Sequence, residues 1–343
     1  MFKVIITVLV ISILFGCGLQ RQVVSVSVIQ DGRYDSEFPV VPTSDQLKQI
    51  SATVKLISSL TFYSKYFFSQ STQLTVQDLY DKTFHMKANS RAVVEMPASG
   101  TGTIIYADSE KLALLTCAHT IYAPDTIITY FQDAKGHPTI YVESIAVKVR
   151  QTINVIGLPN GEKIEVLAND TENDIAILGR RLKSVPKIPI PIFSYPWGVS
   201  NDLEWGTFVY MFGFPHGKQI VTNAMVSHPN RNEEHDFIIN ATMFKGVSGG
   251  PIIAIRDGAP NFELIGIANA LSANQKIAIR PNPDIEKDSI NPTQAYQGDL
   301  FLEREYSIIH GLTFAISMES IKNFMREYKN VLEEQGYFIK LVL

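Results

Sequence analysis

One serine stands among glycine, proline and small apolar residues in Phe244-Lys-Gly-Val-Ser-Gly-Gly-Pro-Ile-Ile253. Glycine is used where the backbone must take positive φ or where another group must come close to it. A run of that kind around one hydroxyl, that of Ser248, describes a shaped backbone pocket with a nucleophile inside. A serine hydroxyl attacks poorly at its free pKa and needs an adjacent base. Near neutral pH that base is histidine, and Leu115-Thr-Cys-Ala-His119 ends an apolar run in one. The imidazolium then formed needs a carboxylate to hold its tautomer and balance its charge. Glu172-Asn-Asp174-Ile-Ala-Ile-Leu178 places an acid, Asp174, at the head of an apolar strand. Taken singly, a Gly/Pro turn, a strand-end histidine and a turn aspartate are ordinary structural features. Together they are a complete set for acyl transfer: nucleophile, general base and orienting acid.

The order along the chain narrows the class. It runs His119, Asp174, Ser248, whereas subtilisins run Asp, His, Ser and α/β-hydrolases run Ser, Asp, His. Thr116-Cys-Ala-His119, Asp174-Ile-Ala-Ile-Leu178 and Gly246-Val-Ser-Gly-Gly-Pro251 resemble the three signature motifs of the trypsin/chymotrypsin-like serine peptidases. Ser99-Gly-Thr-Gly-Thr-Ile-Ile105, Phe212-Gly-Phe-Pro-His-Gly217 and Gly311-Leu-Thr-Phe-Ala-Ile316 are similar to stretches of that family's disulfide-free bacterial branch, the high-temperature-requirement peptidases. The resemblance covers residues 90–330. It implies a catalytic His119, Asp174 and Ser248, an oxyanion hole from the backbone N–H groups of Gly246 and Ser248, and protein or peptide substrates. It also places the primary substrate pocket between Ala241-Thr242-Met243 and Ala268-Asn269-Ala270, hence Thr242, Ala268, Asn269 and Ala270. Neither stretch holds a charge, so cleavage after Val, Ala, Leu or Ile is expected. Val247 stands where digestive members carry the aspartate of zymogen activation, so no such switch is implied. Residues after Ser317 are too few for the PDZ domain common in that branch.

The elements that must position these residues are short β-rich runs divided by turns, at 92–96, 100–106, 112–116, 126–131, 139–149, 163–167 and 174–178. After a proline-studded connection at 185–196 come 207–213, 220–226, 237–241, 251–255, 263–270 and 312–316. Many short strands with turn signals indicate antiparallel barrels. The fold expected is mainly β: two antiparallel six-stranded-type, chymotrypsin-like barrels, about 90–185 and 205–316, within a peptidase domain at 84–330. A polar, proline-containing insertion at 271–310 reads as a surface excursion. Leu47, Ile50, Val54, Ile57 and Leu60 or Phe62 recur at helical spacing, so 43–83 reads as an N-terminal helical segment. A second short helix is read at 76–83, a C-terminal helix begins at Ser317 and stops near Gly336, and within the tail at 331–343 residues 337–343 offer a last strand.

Residues 1–17 read as an export signal. Lys3 precedes the apolar stretch 4–15, which is too short to span a bilayer but suits a signal-peptide core. Leu14-Phe15-Gly16-Cys17 resembles a bacterial lipobox, which implies lipidation of Cys17, a tether at 18–42 and an enzyme anchored in the bacterial cell envelope. Gly18 after that cysteine favours the outer membrane where there are two. With Cys17 lipidated, Cys117 has no partner for a disulfide. A formal net charge of −4 gives no basic surface for nucleic acid. The chemistry calls for no metal or organic cofactor, and zinc-site spacings are absent. The competing reading is a catalytically silent trypsin-fold binding module on the envelope. Another is an active enzyme held latent until the 271–310 insertion orders. Oligomeric state is left open.

Overall fold

The computed structural model describes residues 30–340 apart from 82, 134, 243, 282–292 and 294–299, and gives no side-chain account of 270–310 except Thr293. The presumed signal and Cys17 lie outside the described residues. The chain is mainly β, with a chymotrypsin-like arrangement of two halves. The first half is an open seven-stranded half-barrel in the order β4-β5-β1-β2-β3-β7-β6. Its strands are β1 (Val54–Phe67), β2 (Ser90–Ala107), β3 (Lys111–Thr116), β4 (Thr126–Gln132), β5 (Pro138–Val155), β6 (Glu165–Asp170) and β7 (Ile175–Arg181). The second half is a closed barrel, β10-β13-β12-β11-β8-β9. It comprises β8 (Phe208–Gly213), β9 (Ile220–His228), β10 (Phe237–Ile239), β11 (Pro251–Ile255), β12 (Phe262–Pro281) and β13 (Leu300–Ser317).

The expected N-terminal helical segment is corrected. Helix α1 spans only Ser44–Thr53, after which the chain becomes β1, paired with β2 on one side and β5 on the other. Val54 and Ile57 satisfy helical spacing, but from Ile57 the buried positions run on through Ser59, Thr61 and Tyr63, and that is a period of two. The run Thr61-Phe-Tyr-Ser-Lys-Tyr-Phe67 is rich in residues that suit a pleated surface. Beyond it, 70–87 forms three 3₁₀ turns that close a small apolar cluster with Phe68, Val142 and Ile145.

Two further expectations change. Within the expected tether, Tyr34 is buried and bridges to Arg256, and Asp35 joins the second barrel through main-chain bonds to Ile255 and Phe208. The supposed insertion is largely a continuation of the β12–β13 hairpin, paired from Ala273↔Ile308 out to Pro281↔Leu300. Its start is marked by register shifts around Leu271, where the two strands leave the barrel wall as a ribbon. At the C-terminus, α2 (Met318–Glu327) and α3 (Lys329–Glu334) follow the cap at Ser317, and Gly336 at φ +81° ends them. Of the expected last strand, the described residues 337–340 have no ladder partner and 341–343 lie outside the described residues; Tyr337 is buried in the core.

The largest apolar cluster joins the halves, bringing Leu115 and Ile177 of the first against Phe212, Ile253 and Ile316 of the second. The candidate residues lie where this interface meets solvent.

Candidate active site

β3 is fully buried from Leu112 to Thr116, and the buried run continues through Cys117 and Ala118 before His119 emerges on a 3₁₀ turn. The histidine is thus the first exposed side chain after a rigid strand, which fixes its root. β3 pairs with β7 from Lys111↔Arg181 to Thr116↔Ala176, so the head of β7 lies beside the end of β3. That register brings Asp174 to His119. Asp174 is held at φ +57°, an unusual conformation for a residue with a side chain. Just before it, Asp170 accepts from the N–H groups of Glu172 and Asn173 and from Asn173 Nδ2, at 2.9, 3.0 and 2.7 Å. Burial opposes ionisation of Asp170, but these hydrogen bonds prevail and hold its carboxyl below the usual range.

Both Asp174 oxygens are spent on one residue. Oδ2 lies 2.6 Å from His119 Nδ1, and Oδ1 accepts the His119 main-chain N–H at 2.7 Å. The Asp174 carbonyl also accepts the Ala118 N–H at 3.1 Å. With Nδ1 so engaged, the free nitrogen of the ring is Nε2. The Asp174 side chain is 19% exposed and that of His119 46%, so the acid is shielded while the imidazole faces incoming substrate. Cys117 lies behind them, its Sγ 3.3 Å from the Ala268 carbonyl; burial, followed by the nearby Asp174 charge, pushes its thiol well up. One ligand atom from each of Cys117, His119 and Asp174 falls within 4.8 Å of the others, a grouping that could gather on a metal ion. Here Nδ1 and Oδ2 are engaged with each other.

Ser248 comes from the second barrel, in the turn before β11. Its carbonyl accepts the Thr101 N–H at 2.7 Å, fastening the serine to the first half. Gly249 at φ +83° passes so close to Thr101, Thr116 and Cys117 that no side chain would fit there. Gly249 N donates to the Ala268 carbonyl at 2.7 Å, and Ala268 N donates to Gly250 at 2.8 Å, which lays β12 beside the serine. Among the described residues, Ser248 Oγ has no hydrogen-bond partner. The bond to a catalytic base commonly tightens only when substrate is bound.

Gly246 takes φ +104°, a region open to glycine. Among the described residues, neither the Gly246 nor the Ser248 N–H has an acceptor, so both donors remain available. Of the pocket residues expected from sequence, Ala268 is buried against the serine turn, Asn269 is half-buried and Thr242 is exposed. Ala270 lies in β12 with its side chain outside the description, and Met243 is outside the described residues. A cleft of about 320 Å³ lies elsewhere, lined by Tyr34, Phe38, Trp205 and their neighbours; none of its lining residues belongs to this site. Sequence reasoning missed the threonines behind the site, because a threonine in a strand reads as a β-former whatever its hydroxyl does.

Residues 100–267 match the family model of the trypsin-like peptidase domain, a span that takes in His119, Asp174 and Ser248. Fold and matched domain together define a serine endopeptidase. No curated protein matches the chain. Similar solved structures include the serine endoprotease from Yersinia pestis, 15% identical, with 87% of this chain and 69% of that one covered and a TM-score of 0.40. Deg5 is 17% identical over 66% of this chain and 84% of its own, with a TM-score of 0.37. Human heparin binding protein is 10% identical over 88% and 97%, with a TM-score of 0.36. Likenesses this distant carry no functional argument.

Proposed function

We infer that Ser248, His119 and Asp174 are the catalytic triad of this endopeptidase. The observation that carries the reading is the His119–Asp174 pair: a ring nitrogen at 2.6 Å and a main-chain N–H at 2.7 Å on the same carboxylate. That double attachment fixes the imidazole and leaves Nε2 as the nitrogen free to serve Ser248. In the reaction, Nε2 takes the Ser248 Oγ proton as Oγ attacks the peptide carbonyl. The imidazolium so formed is balanced by Asp174, and the oxyanion receives the N–H groups of Gly246 and Ser248. Nε2 then gives its proton to the departing amine, and the C–N bond breaks. Water, deprotonated by the same nitrogen, cleaves the acyl-serine.

A fluorophosphonate probe tests this. Labelling of wild-type protein that vanishes in Ser248→Ala is the expected result. A folded wild-type protein that resists labelling would instead fit a binding module.

The reading extends to an enzyme exported and held at the bacterial cell envelope by lipid on Cys17, acting on proteins or peptides there. The sequence around Cys17 supports it, since several acyl chains on one residue would anchor a protein firmly. Cys17→Ser should leave unprocessed or misplaced protein; normal maturation and fractionation of that variant would refute the anchor. For specificity, the uncharged walls at Thr242, Ala268, Asn269 and Ala270 favour small or medium apolar residues, because a buried substrate charge would lack a partner. Dominant cleavage after Arg or Lys in a peptide library would refute the pocket assignment and leave the triad untouched.

A further inference from the structure

The geometry points to the Thr101 hydroxyl as the positioning residue of the oxyanion loop, the group that aims the Gly246 N–H. This rests on the triad reading of Ser248. Thr101 lies in β2, in the half that carries His119, and is fully buried. Its hydroxyl donates to the Gly246 carbonyl at 2.7 Å and accepts the Phe214 N–H at 3.1 Å. Its own N–H holds the Ser248 carbonyl at 2.7 Å, and its carbonyl accepts the Thr116 hydroxyl at 2.8 Å. Thr116 is three residues before His119 and its Oγ1 lies 3.3 Å from that of Thr120, the residue after it. One residue, through its hydroxyl and its main chain, therefore ties the nucleophile loop to the strand that roots the histidine.

The route to the oxyanion donor is specific. The Gly246 N–H belongs to the Lys245–Gly246 peptide. In a trans peptide the N–H points opposite to the C=O. The Lys245 carbonyl accepts the His216 N–H at 3.4 Å, so the Gly246 N–H faces the other way. His216 stands in the turn Pro215–Gly217, which follows Phe214, and Phe214 N is held by Thr101 Oγ1. The other side of Gly246 is its carbonyl, held by the same oxygen. That carbonyl shares its planar peptide with the Val247 N–H, which donates to Phe244 at 3.2 Å, and the Val247 carbonyl, in the peptide after it, accepts from Gly250 at 2.8 Å. At Gly246 the backbone is free to rotate, because glycine tolerates either sign of φ. Thr101 Oγ1 restricts this freedom on both sides, directly at the Gly246 carbonyl and, through the Phe214 N–H and the turn after it, at the Lys245 carbonyl. Without it, the buried carbonyl and the Phe214 N–H both lack a partner, and rotation at Gly246 becomes the way to find one.

The test compares Thr101→Val, which keeps the shape and drops the hydroxyl, with Thr101→Ser, which keeps the hydroxyl. Melting temperature, kcat and KM on a peptide substrate, and the rate of fluorophosphonate labelling at Ser248 are measured for each. Removing one oxyanion donor outright costs about 10²–10³ in rate, so misaiming it is expected to lower kcat and the labelling rate about 10- to 100-fold in Thr101→Val, with KM within about twofold. Thr101→Ser should stay within about threefold of wild type, since it retains the donor. A folded Thr101→Val with wild-type kcat overturns the inference. So does a Thr101→Ser as slow as Thr101→Val, which would make the role one of packing. If Thr101→Val fails to fold, Thr101→Ala set against Thr101→Ser decides the same point without crowding, and equal kcat in the two overturns it. A wild-type enzyme that is not labelled at Ser248 overturns the triad reading, and this inference with it; labelled wild type with unaffected Thr101→Val overturns this inference alone.

Discussion

Asp174 spends one oxygen on the His119 ring and the other on the His119 main chain. An asparagine in its place has one acceptor for two donors and turns an N–H toward one of them. Asp174→Asn should therefore fold, keep a melting temperature close to wild type and lose about 10⁴ in kcat, the size of effect that a wrong imidazole tautomer produces. Ser248→Ala and His119→Ala should each lose activity by orders of magnitude. Combining them with Asp174→Asn should add little, because the proposed triad would act as a unit. Steady-state kinetics on the singles and the triple variant check this, and additive losses would contradict it. At this scale much was legible from the sequence. A histidine after an apolar run, an acid before one and a serine among glycines each betray themselves by residue type. The Thr101 hydroxyl does not. Its partners, Gly246 and Phe214, lie more than a hundred residues away, and only the packing of one barrel on the other brings them to it.

Among the elements, strands were more legible than the helix that precedes them. The runs at 112–116 and 251–255 correspond closely to β3 (Lys111–Thr116) and β11 (Pro251–Ile255), because each is a short apolar stretch bounded by turn residues. β1 was hidden because Val54 and Ile57 fit both periods. What decides for a strand is the pair of ladders waiting on either side, and those are contributed by residues far along the chain. The start of α2 was legible from Ser317 alone. There the structure adds a second duty: Ser317 Oγ accepts the Ser320 N–H at 3.1 Å and donates to the Glu234 carbonyl at 2.6 Å. Ser317 is fully buried, so Ser317→Ala strips both a helix cap and the donor to a main-chain oxygen. The expected cost is about 1–2 kcal/mol, typical of losing such a cap, with kcat unchanged. Urea unfolding monitored by circular dichroism would show the midpoint shift, and a wild-type midpoint would refute it.

Across the whole molecule, each end of the described chain reaches over to one half and locks it. Near the start, Tyr34 packs on the second barrel before the first has been built. Its hydroxyl accepts the Val199 N–H at 2.9 Å and donates to Glu263 at 2.6 Å, and Arg256 stacks 4.0 Å from its ring centre while pairing with Glu263. Tyr34→Phe leaves the ring and removes the hydroxyl. It should lower stability by about 1–3 kcal/mol, the cost of leaving buried partners unsatisfied, without altering kcat. An unchanged unfolding midpoint would argue that the segment is merely a tether.

The other end runs from the second barrel to the first, where Tyr337 docks on Tyr106 with ring centres 6.0 Å apart and Lys111 lies over its ring while holding the Gln335 carbonyl at 2.9 Å. At this junction the hydrogen bond from Tyr106 Oη to Asp108 at 2.5 Å bears on two groups that titrate at opposite ends of the pH range. Burial, then that bond, pushes Tyr106 up to about 12. Asp108 is opposed by burial, but the bonds from Tyr106 and from the N–H groups of Glu110 and Lys111 hold it below the usual carboxylate range. A tyrosine whose folded pKa is raised keeps its proton after the unfolded chain has lost it. Its contribution is present below the unfolded value near 10 and is lost as pH climbs from there. A carboxyl whose folded pKa is depressed does the reverse, contributing above about pH 4 and losing that contribution as pH falls. Melting temperature should therefore decline on both flanks, and Tyr106→Phe should flatten both slopes, since it removes the tyrosine proton and one donor to Asp108 together. A Tyr106→Phe profile parallel to wild type over the whole range would show that this hydrogen bond does not link the docking of the C-terminal segment to protonation.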